Sequence, residues 1–268
     1  MMAVRKTTGL LFAYFILGLT GIVGQTVQVT AQSSQEQSLD QAASDPTASL
    51  MSFQLQDFYT YDFHNSGGSS NRLQFRAAIP FEFAGTSNIA RLTLPYVTSS
   101  PSGADGISDA TLFNLTTFTQ SWGRWGVGAV ALLPTGSSGL SAEKWALGPA
   151  AGFSVQGDGV LWGIFNQNLI TVAGDDDMPD VNLSTLQPIF NVGLGNGWST
   201  GLSEMVFAYD WDENEFTSLP LGFKLSKLTR FGDIPVQLIA SYEHNFYDTG
   251  VTPSDTISFT VKVLLPRG

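Results

Sequence analysis

The chain has 268 residues, no cysteine, a formal net charge of −11 and a charged fraction of only 13%. The acidic balance argues against nucleic acid as a partner, because its phosphates require a basic surface, and the lack of cysteine excludes disulfides and thiolate metal sites. With 43% hydrophobic residues, the chain is too apolar for disorder and long enough for one large domain.

Residues 1–31 have the pattern of a secretory signal peptide. Arg5 and Lys6 form a positive start, an apolar run (GLLFAYFILGLTGIVG) follows, and Ala31 ends the small-residue motif VTA. The apolar run has about sixteen residues, whereas a membrane-spanning helix needs roughly 20. We therefore expect export and cleavage near Ala31 in preference to an N-terminal membrane anchor.

Residues 32–50 are polar and rich in Gln and Ser, and they are predicted to form a flexible lead-in. Residues 51–268 are predicted to form one domain with about twelve strand-like segments, separated by Gly, Ser, Asp, Asn and Pro. The clearest predicted strands are 51–62, 71–83, 87–97, 107–119, 123–133, 145–156, 160–171, 183–194 and 256–265. Ten or fourteen strands remain alternatives.

The segments between these strands alternate between long and short for most of the chain. HNSGGSSN is long and AGT is short, and SSPSGADG and PTGSSGLSAE are long whereas QSW and GDG are short. Outer-membrane barrels place long loops outside the cell and short turns in the periplasm. An even number of strands also returns both chain ends to the periplasmic side.

Residues 71–83 show which face of a strand meets lipid. Every second residue is apolar, and the residues between include Arg72, Gln74, Arg76 and Glu82. Similar alternation recurs in other strands, and aromatic residues gather near strand ends, as expected for interfacial girdles. These are Tyr59, Tyr61, Phe81, Phe83, Trp122, Trp125, Trp198, Tyr209 and Trp211. A soluble secreted sandwich is the distant alternative. Its core would hold aromatic residues in the middle of the strands, whereas here they lie near the strand ends.

The predicted fold is therefore all-β, a transmembrane antiparallel up-and-down β-barrel with apolar residues towards lipid and charges towards the lumen. Prolines inside or next to the strands are expected at bulges or rims, because proline cannot donate to the ladder. They are Pro80, Pro95, Pro149, Pro188, Pro220 and Pro235.

Ionisable residues on the lumen parity are the candidate functional residues. They are Arg72, Arg76, Glu82, Arg91, Asp109, Arg124, Glu204, Lys224, Glu243 and Lys262. Facing lipid near the midplane, an Arg or Lys would cost about 2–4 kcal/mol. Such charges either line a solute path and set its selectivity, or pair with one another and fill a narrow interior. The sequence leaves both alternatives open.

Two acidic loops, GDDDMPD (174–180) and WDENE (211–215), and two histidines are the remaining candidates for other chemistry. Asp175, Asp176, Asp177 and Asp180 are weak candidates for a calcium site, but the EF-hand pattern is missing. Solvated loops that bridge lipopolysaccharide phosphates through divalent cations are the preferred interpretation. His64 lies two residues before Ser66 in a Gly/Ser-rich loop, and His244 lies near the end of a strand. Because nothing in the sequence fixes a Ser–His geometry, we expect no enzyme activity. The chain also lacks a nucleotide motif, so no cofactor is expected.

The ordered set of segments resembles bacterial outer-membrane transporters of the phenol-degradation MetA-pathway type, many of which carry the misleading label neuromedin U. The matching segments are DPTASLMSFQLQDFY, LQFRAAIPF, GISDATLFNL, GVGAVALLPTG, KWALGPAAGF, LWGIFNQNLITVAGD, LQPIFNVGLGNGWSTGLSE and PLGFKLSKL.

The resemblance implies a channel or transporter for small hydrophobic or aromatic organic molecules in the outer membrane. Expected partners are outer-membrane lipid, lipopolysaccharide, the solutes and the barrel assembly machinery. One departure is the end of the chain, VKVLLPRG, which lacks the terminal aromatic that the assembly machinery often reads. The main alternative function is a structural or adhesive barrel with a sealed lumen, and a more distant one is an outer-membrane lipid hydrolase.

Overall fold

The protein is described from a computed structural model that covers residues 38–265. This part of the chain contains one short helix, α1 (Leu39–Ser44), and a series of strands. The strands are β1 (Met51–His64), β2 (Ser70–Phe83), β3 (Thr86–Ser99), β4 (Gly106–Ile107), β5 (Ala110–Gln120), β6 (Gly123–Leu133), β7 (Lys144–Gln156), β8 (Val160–Gly174), β9 (Asn182–Gly195), β10 (Trp198–Leu202), β11 (Phe207–Asp210), β12 (Glu215–Ser218), β13 (Pro220–Phe231), β14 (Ile234–Asn245) and β15 (Thr252–Leu265).

These strands form a closed antiparallel barrel. Neighbours in sequence pair with each other, and the first and last strands close the sheet, with Met51 opposite Leu265. Within residues 38–265 the barrel has 12 strands in its wall, because β10 with β11 forms one wall strand and β12 with β13 another. The short β4 is an extra pairing at the tip of β3. The predicted closed antiparallel β-barrel of about twelve strands is confirmed.

The two ends of the barrel differ in their connections. Two-residue turns join β2 to β3 and β9 to β10, and both turn residues have positive φ, at Ala84–Gly85 and Asn196–Gly197. This backbone suits the tight hairpins of a twisted sheet. Longer loops, such as 100–109 and 134–143, lie at the opposite end. We call these ends the turn end and the loop end.

The strand faces follow the alternation of the sequence. Phe75 and Ile79 are 40% and 43% exposed on the outside of the barrel, whereas Gln74, the residue before Phe75, is 7% exposed. The same outer surface carries Leu221, Phe223, Ile257 and other large apolar side chains. A continuous apolar exterior on a closed barrel is the arrangement that hydrocarbon requires. Among residues 38–265, no helix has the length and apolar character to cross a membrane.

One side of the lumen is packed like the core of a soluble protein. Phe113, Leu115, Val130, Ala150 and Phe165 form a buried cluster inside β5–β8. Glycines of the facing strands make room for it: a Cβ at position 126 would lie 2.7 Å from the side chain of Leu115. The lumen is therefore narrower than an open twelve-stranded barrel would allow.

The segment before β1 differs from its prediction. The sequence predicted a flexible lead-in over 32–50, but residues 39–44 form α1 and residues 45–50 continue as an ordered segment inside the barrel. Gln41, Asp45 and Thr47 are buried there. A polar composition suggested a solvated segment. Its polar side chains are instead bonded to polar residues on the lumen side of the barrel wall, more than 75 positions away in the sequence. The rest of 32–50 lies outside the described residues, as does the predicted signal peptide.

The wall is interrupted where β10 ends and β11 begins. Between them, residues 203–206 leave the ladder, and residues 187–190 of β9 have no strand partner on that side. Pro188 lies in this unpaired stretch, where its missing N–H costs nothing. Ser203 N–H donates to the carbonyl of Gly222 at 3.1 Å, and the buried Met205 fills the space beside it. The interruption turns the chain inward, and this places Glu204 in the lumen.

Candidate functional site

The lumen holds two chambers that share a boundary. The outer chamber, towards the loop end, has a volume of about 680 Å³, and the inner chamber, towards the turn end, has a volume of about 80 Å³. Arg76 and Glu204 line both. These two side chains therefore form the floor between the chambers.

The floor is an ion pair held by a small polar network. Arg76 Nη1 lies 2.6 Å from Glu204 Oε2, and Gln56 Nε2 approaches the same oxygen at 3.4 Å. Gln74 donates to the side-chain oxygen of Gln56 at 2.8 Å, which orients that amide towards Glu204. Charge-assisted bonds of this kind are shorter and stronger than neutral ones. The floor is thus a defined structural element with four members on three segments of the chain.

The inner chamber is lined mainly by cations and apolar side chains. Arg91 lies over the ring of Phe113 with its guanidinium carbon 4.6 Å from the centroid, a cation–π geometry. Lys224 and Lys262 also line the chamber. Lys262 donates from Nζ to the carbonyl of Ala43 at 2.7 Å, so α1 rests directly on a lumen cation.

Residues 39–50, which we call the plug segment, close the inner chamber at the turn end. Its anchor is the carboxylate of Asp45, whose Oδ2 accepts bonds from Arg124 at 3.2 Å, Ser154 at 3.0 Å and Gln156 at 3.2 Å. The other oxygen accepts bonds from the backbone N–H and the hydroxyl of Thr47, at 2.9 and 2.7 Å. The carboxylate of Asp45 is therefore fully surrounded by donors.

The outer chamber combines apolar and charged walls. Phe58, Phe63, Val97, Leu140 and Val206 supply apolar surface. Arg72 and Glu243 also line this chamber, and Arg72 stacks over the ring of Phe58 at 4.6 Å. Hydroxyl and amide side chains, such as those of Thr60 and Asn71, complete the lining. A volume of this size with both apolar and polar walls suits a small organic molecule.

Three of the predicted lumen residues serve other purposes. Glu82 is exposed at the turn end and lines neither chamber. Asp109 accepts bonds from the backbone N–H groups of Gly136 and Ala142, at 2.9 and 2.7 Å, and so fastens a loop at the loop end. Arg124 holds the plug segment through Asp45. The other seven line at least one chamber: Arg72, Arg76, Arg91, Glu204, Lys224, Glu243 and Lys262.

The acidic loop of residues 174–180 does not gather its carboxylates. Asp180 pairs with Lys144 at 2.9 Å, and Asp175 accepts a bond from the backbone N–H of Asp177. Nowhere in residues 38–265 do three His, Asp or Glu side chains converge as a metal site. The weak calcium prediction for Asp175, Asp176, Asp177 and Asp180 gains no support.

The two histidines, His64 and His244, lie near each other at the loop end. Their ring centroids lie 6.1 Å apart. His64 Nε2 lies 2.7 Å from the carbonyl of Asn245, and His244 Nδ1 lies 3.0 Å from a carboxylate oxygen of Asp255. Ser66 donates to the carbonyl of the next residue instead of to a histidine. The described part of the chain therefore contains no Ser66–His64 pair of the kind that hydrolysis needs.

Sequence reasoning missed the plug segment and the apolar cluster. A signal for the first was the order Asp45-Pro46-Thr47, because an aspartate followed two residues later by a hydroxyl favours a local turn. A signal for the second was the small-residue parity of β6 and β7, in WGVGAVALL and ALGPAAGF. Small residues on a lumen face allow large side chains from neighbouring strands to cross the interior.

No protein-family profile matches the sequence, and no curated protein sequence matches it. Among solved structures, the fold is similar to the COG4313 outer membrane channel from Pseudomonas putida, with 12% identity, a TM-score of 0.59, and coverage of 82% of this chain and 99% of that one.

Weaker matches are outer membrane phospholipase A from Escherichia coli, with 11% identity, a TM-score of 0.44 and coverage of 81% and 90%, and its Salmonella typhi counterpart, with 9% identity, a TM-score of 0.41 and coverage of 85% and 96%. The first similarity shows a shared barrel fold, and the two phospholipase matches carry no argument about activity.

Proposed function

We propose that this chain is an outer-membrane channel for small hydrophobic or aromatic organic molecules, and that the plug segment closes it at the periplasmic side. The observation that carries the proposal is the outer chamber of about 680 Å³, which is walled by apolar and aromatic side chains together with hydroxyl, amide and four charged side chains. Pockets that bind small organic ligands have this size, and they combine apolar surface with polar groups that orient the ligand. The ordered resemblance to transporters of the MetA-pathway type supports the same substrate class.

The location in the outer membrane rests on two features. The first 31 residues carry the signal-peptide pattern, and the closed barrel has an apolar exterior with aromatic residues near both ends. Trp198 and Phe231 lie near the turn end, and Tyr61 and Trp211 lie near the loop end. In the proposed orientation the turn end faces the periplasm and the loop end meets lipopolysaccharide. The fold neighbour named as an outer membrane channel agrees with this placement.

The plug segment makes the proposed channel closed at rest. It leaves only about 80 Å³ in the inner chamber, which is enough for a few water molecules, each of which takes about 30 Å³ in the liquid. A larger solute must therefore move the plug segment, or the floor ion pair, to pass. The proposed channel therefore differs from an open pore, because a solute passes only after part of the lumen moves.

The test uses the purified barrel in planar bilayers and intact cells. We expect small and infrequent currents from the wild type and larger, frequent currents when residues 39–50 are replaced by a Gly/Ser linker. Cells that carry the linker variant should take up labelled toluene faster than wild-type cells. If neither protein conducts and gene deletion leaves toluene uptake unchanged, the channel proposal fails.

The second candidate is a structural or adhesive barrel with a sealed lumen. It is favoured by the apolar cluster around Phe113 and by the buried plug segment, which together fill much of the interior. It predicts that the linker variant stays closed because the remaining lumen is already packed. The same bilayer experiment therefore distinguishes the two functions.

A further inference from the structure

The charges around the inner chamber do not balance. Its lining contains four cations, whereas the acidic groups are Asp45 and Glu204. The cations are Arg76, Arg91, Lys224 and Lys262. Asp45 is satisfied by Arg124 and by neutral donors of β7 and Thr47. The carboxylate of Glu204 is therefore left to face all four cations.

The strand register places these cations around one region. Arg76 on β2 lies opposite Gln54 on β1, which lies opposite Lys262 on β15. Since neighbouring strands are about 4.8 Å apart, the backbones of Arg76 and Lys262 are separated by roughly twice that distance. Glu204 interacts electrostatically with Arg76, Lys262 and Lys224, and Arg91 experiences repulsion from Arg76.

Much of the hydrogen-bonding capacity of these cations is unused. Lys262 gives one of its three N–H donors to Ala43. Within residues 38–265, the side-chain ammonium of Lys224 makes no hydrogen bond or salt bridge, although Lys224 lines the chamber. Enclosed charges without a counter-charge are costly, because the protein interior screens and solvates them poorly. A bound anion would supply both the charge and the acceptors.

We propose that the inner chamber binds the carboxylate of a small organic acid, with Lys224 and Lys262 as its main cationic partners. A volume of about 80 Å³ suits an anion of the size of acetate. Ile89, Phe113 and Leu264 line the same chamber and give an apolar surface for the carbon end of the acid. The carboxylate then contacts the lysines while the floor ion pair of Arg76 and Glu204 stays intact.

This site does not require the barrel to conduct. If the barrel is a channel, small organic acids would be among the solutes that it transports. Only this statement about transport rests on the proposed function. Suppose that the barrel binds acetate, that neither the wild type nor the linker variant conducts, and that gene deletion leaves toluene uptake unchanged. The transport proposal would then be refuted, and the anion site would stand.

The experiment is a calorimetric titration of the purified, folded full-length barrel with sodium acetate. The protein is in detergent, in a chloride-free buffer of constant ionic strength. Acetamide, which has a similar shape and no charge, is the matched neutral probe. We expect acetate to bind and acetamide not to bind. Absence of acetate binding, or equal binding of the two probes, would overturn the site.

Lys224→Met tests the assigned cation, and Lys227→Met is its control on the same strand. Lys227 lies outside the chamber, where it donates to the carbonyl of Asn196 and stacks on Trp198. We expect Lys224→Met to weaken acetate binding about tenfold or more, because a charged partner is lost in an enclosed site, and Lys227→Met to leave it unchanged. Equal affinity in the two variants would contradict the assignment.

Glu204→Gln gives a second readout should Lys224→Met fail to fold. Removing the charge of Glu204, the carboxylate that faces the four cations, frees Arg76 and raises the positive potential, so acetate should bind several-fold tighter. Glu82→Gln, which neutralises an exposed carboxylate at the turn end, should leave acetate binding unchanged. Acetate binding that stays the same or weakens in Glu204→Gln would refute the site.

Discussion

The carboxylate of Asp45 accepts a salt bridge from Arg124 at 3.2 Å, and this contact joins the segment before the barrel to its wall. The side chain of Asp45 is fully buried. A buried carboxylate is stable only when donors surround it, and Ser154, Gln156 and Thr47 complete the set. We therefore expect the side chain of Asp45 to be the main anchor of the plug segment.

Asp45→Asn should loosen the plug segment. The amide keeps the size of the side chain but loses the charge that Arg124 and the neutral donors stabilise, at a cost of about 2 kcal/mol. That cost corresponds to roughly a 30-fold shift of the closed–open equilibrium. In planar bilayers we expect a clear increase in the fraction of time spent open.

Asp158→Asn is the control for this prediction. Asp158 is exposed in the turn between β7 and β8, at the same end of the barrel, and the substitution changes the net charge identically. Its open fraction should equal that of the wild type. An open fraction in Asp45→Asn that is no larger than in Asp158→Asn would show that Asp45 does not hold the channel closed.

The facing of β2 gives a test of the membrane-spanning barrel. Phe75→Arg and Ile79→Arg place a guanidinium in hydrocarbon, at about 2–4 kcal/mol each near the midplane, and should reduce the heat-modifiable, folded fraction in the membrane. Gln74→Arg points into the outer chamber instead, and it should assemble at near wild-type levels. Better assembly of Phe75→Arg than of Gln74→Arg would mean that the faces are inverted.

Export remains a prediction from the sequence. Cleavage near Ala31 follows from the charged start, the apolar run and the VTA motif. Edman sequencing of the protein from the outer-membrane fraction should begin near Gln32. An N-terminus at Met1 or Met2 would favour an uncleaved N-terminal anchor.

Sequence reasoning gave the barrel because its signals are local. The alternation of 71–83 and the turn residues at 84–85 depend on side-chain parity and φ preferences, which each segment carries by itself. The interruption at 203–206 was missed because the register of one strand against its neighbours is a property of the sheet. The aromatic and aliphatic residues of LSEMVFAYD fit a continuous strand equally well.

The site was less predictable than the fold for a similar reason. Parity indicated that Arg76 and Glu204 face the lumen, but their pairing joins residues 128 positions apart. Parity also could not separate Arg124, which holds the plug segment, from Arg91, which lines the inner chamber. These roles depend on how deep each residue lies along the barrel axis and on the path of residues 38–50. The alternation of apolar and polar residues in a strand carries no information about either.

The floor ion pair should contribute measurably to stability. A double-mutant cycle with Arg76→Met and Glu204→Met isolates the energy of the pair, because the effects of the two single variants are subtracted from the effect of the double variant. We expect a coupling of about 1–3 kcal/mol, in the range of hydrogen bonds to charged groups, in urea unfolding from detergent or bilayers. A coupling near zero would mean that water in the chambers replaces the pair at no cost.

The lumen arginines should set ion selectivity. Arg72, Arg76 and Arg91 line the chambers, whereas Arg124 is occupied by the plug segment, so we limit the test to the first three. Replacing all three with Gln removes positive charge that offsets Glu204 and Glu243. The reversal potential in a salt gradient should then shift towards cation preference, measured in a background that lacks residues 39–50 so that currents are large.

Arg230→Gln is the matched control for selectivity, because Arg230 is exposed beside the turn between β13 and β14 and donates to the carbonyl of Asp233 at the rim. Its reversal potential should stay at the value of the parent protein. Potentials that are equal in the triple variant and in Arg230→Gln, with both barrels folded, would show that permeating ions do not pass the lumen arginines. Arg72, Arg76 and Arg91 would then have a structural role in the lumen and no role in ion selectivity.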